Sequence, residues 1–124
     1  MKGAISRIIL FVDDVPKMTA FYVDTLGLSV ISGGTPDFVS LDAGGCQLSL
    51  HELPAKYKNP TGEYKPREDS AAKIVFHSGD VEGDRNALVD KGVTMRQLHR
   101  YESIEFCDGF DPEGNVFQIS SRIS

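Results

Sequence analysis

The chain carries the same order of sequence features twice, and this internal repeat is what most limits its possible folds. Asp14-Val15, at a helix start, recurs 66 residues later as Asp80-Val81. Gly27 and Gly92, each following an apolar helical stripe, lie 65 residues apart. The hairpin pairs Leu48/Leu50 and Phe117/Ile119 lie 69 residues apart. Because the offset stays nearly constant from helix to hairpin, we interpret the chain as a duplicated module.

The first module follows the order strand, helix and three strands. Its helix is predicted to begin at Asp14, because Asp accepts unpaired N–H groups and the nearby Pro16 lacks one. Its last two strands form a predicted β-hairpin around a glycine turn. We predict a strand largely buried on both faces at Ser6 to Val12, a helix to Gly27, a strand at Leu28 to Ile31, a loop at Ser32 to Asp37 and a hairpin at Phe38 to Leu53.

The second module repeats that order. Its closing hairpin is predicted at the turn Asp111 to Asn115, since Pro presets φ and Gly and Asn tolerate positive φ. The predicted elements are a strand at Ala72 to Ser78, a helix from Asp80 to Gly92, a strand near Thr94 to Leu98, a loop at His99 to Ser103 and the hairpin Phe106 to Ile119.

These patterns predict an α+β fold in which two tandem βαβββ modules form a curved mixed sheet with a central cleft. The whole chain, residues 1–124, is then a single domain. Module 1 covers about residues 4–53, a proline-containing linker covers residues 54–71, and module 2 covers about residues 72–122. A cleft of this kind is where a small-molecule ligand usually binds.

Charge, apolar stretches and cysteine spacing limit the kinds of partner and cellular location that we expect. The net charge of -5 without a basic run argues against a nucleic-acid partner. No apolar stretch is long enough to span a membrane, and no signal-peptide pattern is present, so we expect a cytoplasmic protein. Cys46 and Cys107 have no metal-type spacing and are predicted to be reduced thiols.

Two sequence signatures resemble those of the vicinal oxygen chelate superfamily. FVDDVPKMTAFYVDTLGL, residues 11–28, is similar to its opening signature, and FDPEGNVFQI, residues 110–119, is similar to its closing one. That superfamily includes glyoxalase I, bleomycin-resistance and fosfomycin-resistance proteins, methylmalonyl-CoA epimerase and extradiol dioxygenases. With the duplication, the resemblance covers nearly the whole chain, but it is specific for the fold rather than for a reaction.

The resemblance also places four positions that hold a divalent metal in the family's enzymes. They correspond to Arg7, Ser49, Lys73 and Gln118. Arginine and lysine offer no lone pair at neutral pH, serine is a poor ligand, and only the glutamine has a carbonyl oxygen. The sequence therefore predicts no cofactor, although a register slip of two residues could bring Gln47 or His51, together with His77, to a metal instead.

Without a metal, the same positions predict a site for an anion. Arg7 and Lys73 would repel each other in a cavity unless an anionic ligand relieved the repulsion, with Ser49 and Gln118 as neutral partners. The alternative is that both cations extend into water with their stems on apolar surface. His51 and His77 share strand parity with these positions, and Tyr101 and Phe106 are candidates for an aromatic wall.

Three functions follow from these observations. The first is a bleomycin-resistance-like protein that binds a small, anionic molecule without metal. The second is a metal-dependent glyoxalase or other lyase, isomerase or dioxygenase, and the third is a non-catalytic interaction module. Proteins that resemble this chain often pair, so we also expect a homodimer.

Overall fold

The computed structural model describes residues 1–123, apart from the side chains of residues 32 and 33. It confirms the α+β class, with mixed sheets and few helices. The chain divides into two compact units, Met1–Glu63 and Tyr64–Ser124. In the described part of the chain, no helix has the length and apolar character needed to cross a membrane.

The first unit contains a four-stranded sheet in the order β1-β4-β3-β2, in which β1 and β4 are parallel and the other pairs antiparallel. Its elements are β1 (Arg7–Val12), α1 (Val15–Ala20), a π-helical turn (Phe21–Thr25), β2 (Ser29–Thr35), β3 (Phe38–Asp42) and β4 (Gln47–Glu52). A short 3-10 turn, Ala55–Tyr57, follows.

The second unit repeats this topology, with the strand order β5-β9-β8-β6 and a parallel β5–β9 pair. One further strand, β7, also pairs with β8. The elements are β5 (Ile74–His77), α2 (Val81–Asp90), β6 (Thr94–Met95), β7 (His99–Tyr101), β8 (Ile104–Phe110) and β9 (Val116–Ser120). The βαβββ order predicted for each half is therefore present.

Both helices begin as the aspartates predict. The Asp14 carboxylate accepts a hydrogen bond from the Lys17 N–H at 3.0 Å, and Asp80 accepts one from the Gly83 N–H at 3.0 Å. Each bond satisfies an N–H group that the first helical turn leaves unpaired.

Each unit buries one face of its helix on its own sheet. In the first unit the fully buried side chains include Met18 on α1 and Leu41 and Leu50 on the sheet. In the second, Phe117 and Cys107 are fully buried beneath α2, which contributes Leu88. Both cysteines are free thiols, and burial raises the pKa of Cys107.

Strand β1 is less buried than its apolar sequence predicts. Ile9 is 43% exposed and Phe11 is 55% exposed, so the prediction of burial on both faces is wrong. Both side chains lie on one face of β1, since residues two apart along a strand point the same way, whereas Val12 on the other face is fully buried. An apolar run indicates a strand, but its neighbours decide how much of that strand is covered.

Two predicted loops also form strands. Strand β2 continues to Thr35 through the region expected to be a loop, and reverses only at Pro36-Asp37. Strand β7 occupies His99–Tyr101, inside the second expected loop, because this segment pairs with β8. The residue types of both segments are typical of loops. They form strands because strand pairing depends on partners distant in sequence.

Replacing Gly114 by alanine should lower the free energy of unfolding by about 2 kcal/mol. Gly114 has a φ of 82°, and an added Cβ would collide with the carbonyl oxygen of Lys65. Gly44 is a matched control, because it has a φ of 77° with nothing near the added Cβ. Gly44→Ala should cost about 1 kcal/mol in urea unfolding, and equal losses in both variants would contradict a role for the collision.

Candidate functional site

A hollow of about 350 Å³ lies on the sheet of the second unit, and we call it the Tyr101 pocket. This volume falls within the range of small-ligand sites. It is bordered by strands β7, β8 and β9 and the residues just after β9. The lining residues are Tyr101, Ile104, Phe106, Gln118, Ser120 and Arg122.

Strand register explains why these side chains meet. Tyr101 of β7 lies opposite Ile104 of β8, and Phe106 of β8 lies opposite Ser120 of β9. Paired residues of adjacent strands point to the same face, and so do residues two apart along one strand. The alternation on β8 and β9 thus brings their lining residues, including Gln118, to one side of the sheet.

One wall of the pocket is aromatic. The ring of Phe106 stacks on His99 with centroids 5.4 Å apart and planes inclined by 23°. Tyr101 is 68% exposed, so its ring is available to a ligand. The structure therefore brings together the two residues predicted from the sequence as an aromatic wall. A flat, partly apolar ligand fits such a surface.

The lining residue Gln118 is hydrogen-bonded to a carboxylate that does not itself line the pocket. Asp108 lies opposite Gln118 in the register and accepts a hydrogen bond from the Gln118 amide Nε2 at 3.0 Å. Its other oxygen pairs with the Lys73 ammonium at 2.9 Å. Lys73 thus has a counter-ion within the protein, whereas the sequence hypothesis assigned that role to a ligand.

Sequence reasoning missed Asp108, although a usable signal existed. Pairing outward from the turn Asp111 to Asn115 sets Phe110 opposite Val116, and two further steps set Asp108 opposite Gln118. It also missed Arg122, which follows β9 and lines the pocket. The hairpin prediction therefore contained the signal for Asp108, whereas Arg122 lies beyond that hairpin.

The predicted site residues of the first unit lie on a different sheet. The Arg7 guanidinium donates a hydrogen bond to the Gln47 side-chain oxygen at 3.3 Å and lies over the Phe38 ring, 5.7 Å from its centroid. Ser49 is fully buried, and its hydroxyl shares a hydrogen bond of 2.9 Å with Ser40.

The two predicted histidines differ in their surroundings. His51 lies near the rings of Phe11 and Phe38, with centroid distances of 5.5 and 5.3 Å. His77 is exposed at the end of β5, opposite Ser120 in the register. The first histidine is part of an aromatic cluster, and the second does not border the Tyr101 pocket.

The residues at the four family metal positions do not fit a divalent ion. Arg7 and Lys73 are hydrogen-bond donors without a lone pair, and the Ser49 hydroxyl is engaged in a buried contact. Only the Gln118 oxygen is of a suitable type. Among residues 1–123, no three His, Cys, Asp or Glu side chains are grouped as a metal would require.

Comparison with known proteins agrees with this architecture. A family model described as Glyoxalase/Bleomycin resistance protein/Dioxygenase superfamily matches residues 4–119. No curated protein sequence matches the chain. Three solved structures illustrate the likeness, which at these identities concerns the fold alone.

The protein SMU.1112c is 24% identical with a TM-score of 0.74, the match covering 95% of this chain and 98% of that one. Lactoylglutathione lyase from Agrobacterium tumefaciens is 22% identical with a TM-score of 0.71, covering 96% and 93%. The fosfomycin resistance protein FosX from Listeria monocytogenes is 18% identical with a TM-score of 0.73, covering 97% and 93%. By its fold and the family match, the chain belongs to the Glyoxalase/Bleomycin resistance protein/Dioxygenase superfamily.

Proposed function

We propose that the protein binds a small anionic molecule with a flat aromatic body in the Tyr101 pocket, without a family-type metal. The observation that carries this proposal is the composition of the pocket. Phe106 and Tyr101 offer ring surfaces, Arg122 offers a positive charge and Gln118 offers a neutral hydrogen-bonding group. An aromatic carboxylate complements all three kinds of group.

The charges near the pocket support an anionic ligand. Asp108 would repel an anion, but the Lys73 ammonium lies 2.9 Å from it and compensates its charge. Arg122 is the cationic residue among those that line the pocket. A guanidinium is well suited to a carboxylate, because its N–H groups match the two oxygens in spacing.

The test is a titration with benzoate, with benzamide as the neutral analogue of the same shape, followed in ¹⁵N-¹H NMR spectra. We expect benzoate to bind more tightly and to shift the amide signals of β8 and β9. Equal weak affinity for both compounds, or shifts confined to residues outside these strands, would overturn the proposal.

Replacing Arg122 by glutamine should weaken benzoate binding about fivefold, since an exposed charge pair contributes up to about 1 kcal/mol. Benzamide affinity should not change. Arg100→Gln is the matched control, because Arg100 belongs to the same unit, is also exposed, pairs with Glu82 and Glu105 and does not line the pocket. An equal loss in both variants would point to general surface charge.

The alternative is the metal-dependent reaction of a lyase, isomerase or dioxygenase, since one fold relative is a lactoylglutathione lyase and another is a fosfomycin resistance protein. It is tested by the metal content of protein purified without chelator and after loading with manganese, iron, cobalt, nickel or zinc. One equivalent of metal that survives dialysis and raises the melting temperature would overturn metal-free binding. We also propose that the protein forms a homodimer and is cytoplasmic. Light scattering tests the homodimer.

A further inference from the structure

The amide of Gln118 has a fixed orientation, and Asp108 is the cause. The Gln118 Nε2 group donates to one Asp108 oxygen at 3.0 Å, while the Lys73 ammonium holds the other oxygen at 2.9 Å. An ionised carboxylate only accepts hydrogen bonds. The nitrogen side of the amide must therefore face Asp108, since the reverse orientation would set two acceptors against each other.

The same constraint decides which atom Gln118 offers to a ligand. Gln118 borders the Tyr101 pocket, whereas Asp108 does not. With its nitrogen turned to Asp108, the amide oxygen is the end left for the pocket. Among residues 1–123, this oxygen has no hydrogen-bond donor within the protein. A polar atom at a ligand site without a protein partner favours a ligand that supplies one.

We infer that the Tyr101 pocket selects aromatic acids that carry a hydrogen-bond donor, such as a ring hydroxyl, and that Asp108 is the positioning residue for this choice. The inference rests on the proposed function and adds the substrate class to it. A site built to accept a hydrogen bond discriminates against analogues that cannot donate one. Methylation of the hydroxyl removes the donor and brings an ether oxygen against the amide oxygen.

The test compares 4-hydroxybenzoate with 4-methoxybenzoate by calorimetry or NMR titration. The wild-type protein should prefer the hydroxyl compound about tenfold, the ratio expected for one unmatched acceptor worth about 1.4 kcal/mol. In Asp108→Asn the new side-chain amide can donate to the Gln118 oxygen. The Gln118 amide is then free to reverse, and the preference should fall to about threefold or less.

Two further variants separate positioning from general effects. Asp42→Asn removes the same charge from the hairpin of the first unit, where Asp42 accepts from the Gly44 N–H at 2.8 Å, and should leave the tenfold ratio unchanged. Gln118→Met keeps the length of the side chain without polar atoms and should abolish the preference. It therefore tests the inference even if Asp108→Asn does not fold.

The outcomes distinguish failure of the inferred selectivity from failure of the proposed binding function. If neither compound binds, the proposed function fails and the selectivity fails with it. If both bind with equal affinity, or if Asp108→Asn and Gln118→Met keep the wild-type ratio, only the role of the Gln118 amide is overturned. A tenfold preference that both variants lose supports the inference.

Discussion

Replacing Asp111 by alanine should lower the free energy of unfolding by about 3 kcal/mol, because it leaves several donors of the closing turn without a partner. Asp111 is only 4% exposed. Its Oδ1 accepts from the backbone N–H groups of Glu113 and Asn115 at 3.0 and 2.9 Å, and the Asn115 side-chain amide donates to both carboxylate oxygens. The loss is large because these donors are themselves poorly accessible to water.

Urea unfolding measures this loss, and two further variants serve as comparisons. Asp111→Asn keeps one acceptor oxygen for the backbone donors but sets its own NH₂ group against that of Asn115, so we expect an intermediate loss. Asp42→Ala is the matched control in the first hairpin, where the exposed carboxylate accepts one backbone hydrogen bond, and it should cost about 1 kcal/mol or less. Equal costs for Asp111→Ala and Asp42→Ala would contradict a special role for the buried carboxylate.

The closing turn also shows why much of the fold could be predicted from the sequence. Its Asp, Pro, Gly and Asn act over a few residues, so their conformational preferences do not depend on distant contacts. The same holds for Asp14 and Asp80, which cap helices through bonds to the N–H three residues ahead. Because both kinds of signal occur once in each half, the βαβββ order was predictable.

Burial was less predictable, because it depends on contacts between distant parts of the chain. Ile9 and Phe11 belong to an apolar run typical of a buried strand, yet both are well exposed on an edge strand. Conversely, the polar Ser49 is fully buried, since Ser40 on the neighbouring strand satisfies its hydroxyl. Neither outcome follows from the residue types alone.

In the candidate site, too, some residues could be predicted from the sequence and others depended on distant contacts. Gln118 was named from the family resemblance and Tyr101 and Phe106 from their aromatic character, and the structure brings all three to one pocket. Asp108 required the exact register across the hairpin, and Arg122 lay beyond the last predicted strand. Side chains that act through another residue have no local sequence pattern, so only the register of strands reveals them.

Replacing Lys73 by methionine should weaken benzoate binding about tenfold, because Asp108 would lose its counter-ion. Two like charges about 6 Å apart repel each other by about 3 kcal/mol at an effective dielectric constant of about 20. The Lys73 and Asp108 side chains are 40% and 29% exposed, so water and salt reduce this cost, and we take about half of it. Benzoate has no hydroxyl group, and the orientation of the Gln118 amide therefore does not enter the comparison.

Lys58→Met is the matched control for Lys73→Met. It breaks another partly exposed ion pair, in which Lys58 lies 2.6 Å from Glu52 in the first unit, and removes the same charge. This variant should bind benzoate as the wild type does. If both lysine variants lose affinity equally, net charge rather than the Lys73–Asp108 pair controls binding.

A double-mutant cycle then identifies the charge that is responsible. In Lys73→Met/Asp108→Asn the uncompensated carboxylate is gone, so benzoate affinity should return to within about threefold of the Asp108→Asn protein. The loss in Lys73→Met alone should also shrink as sodium chloride is raised, since screening weakens repulsion between partly exposed charges. If the double variant binds no better than Lys73→Met, Lys73 contacts the anion itself. The original sequence hypothesis for this lysine would then be correct, with Asp108 serving as its resting partner.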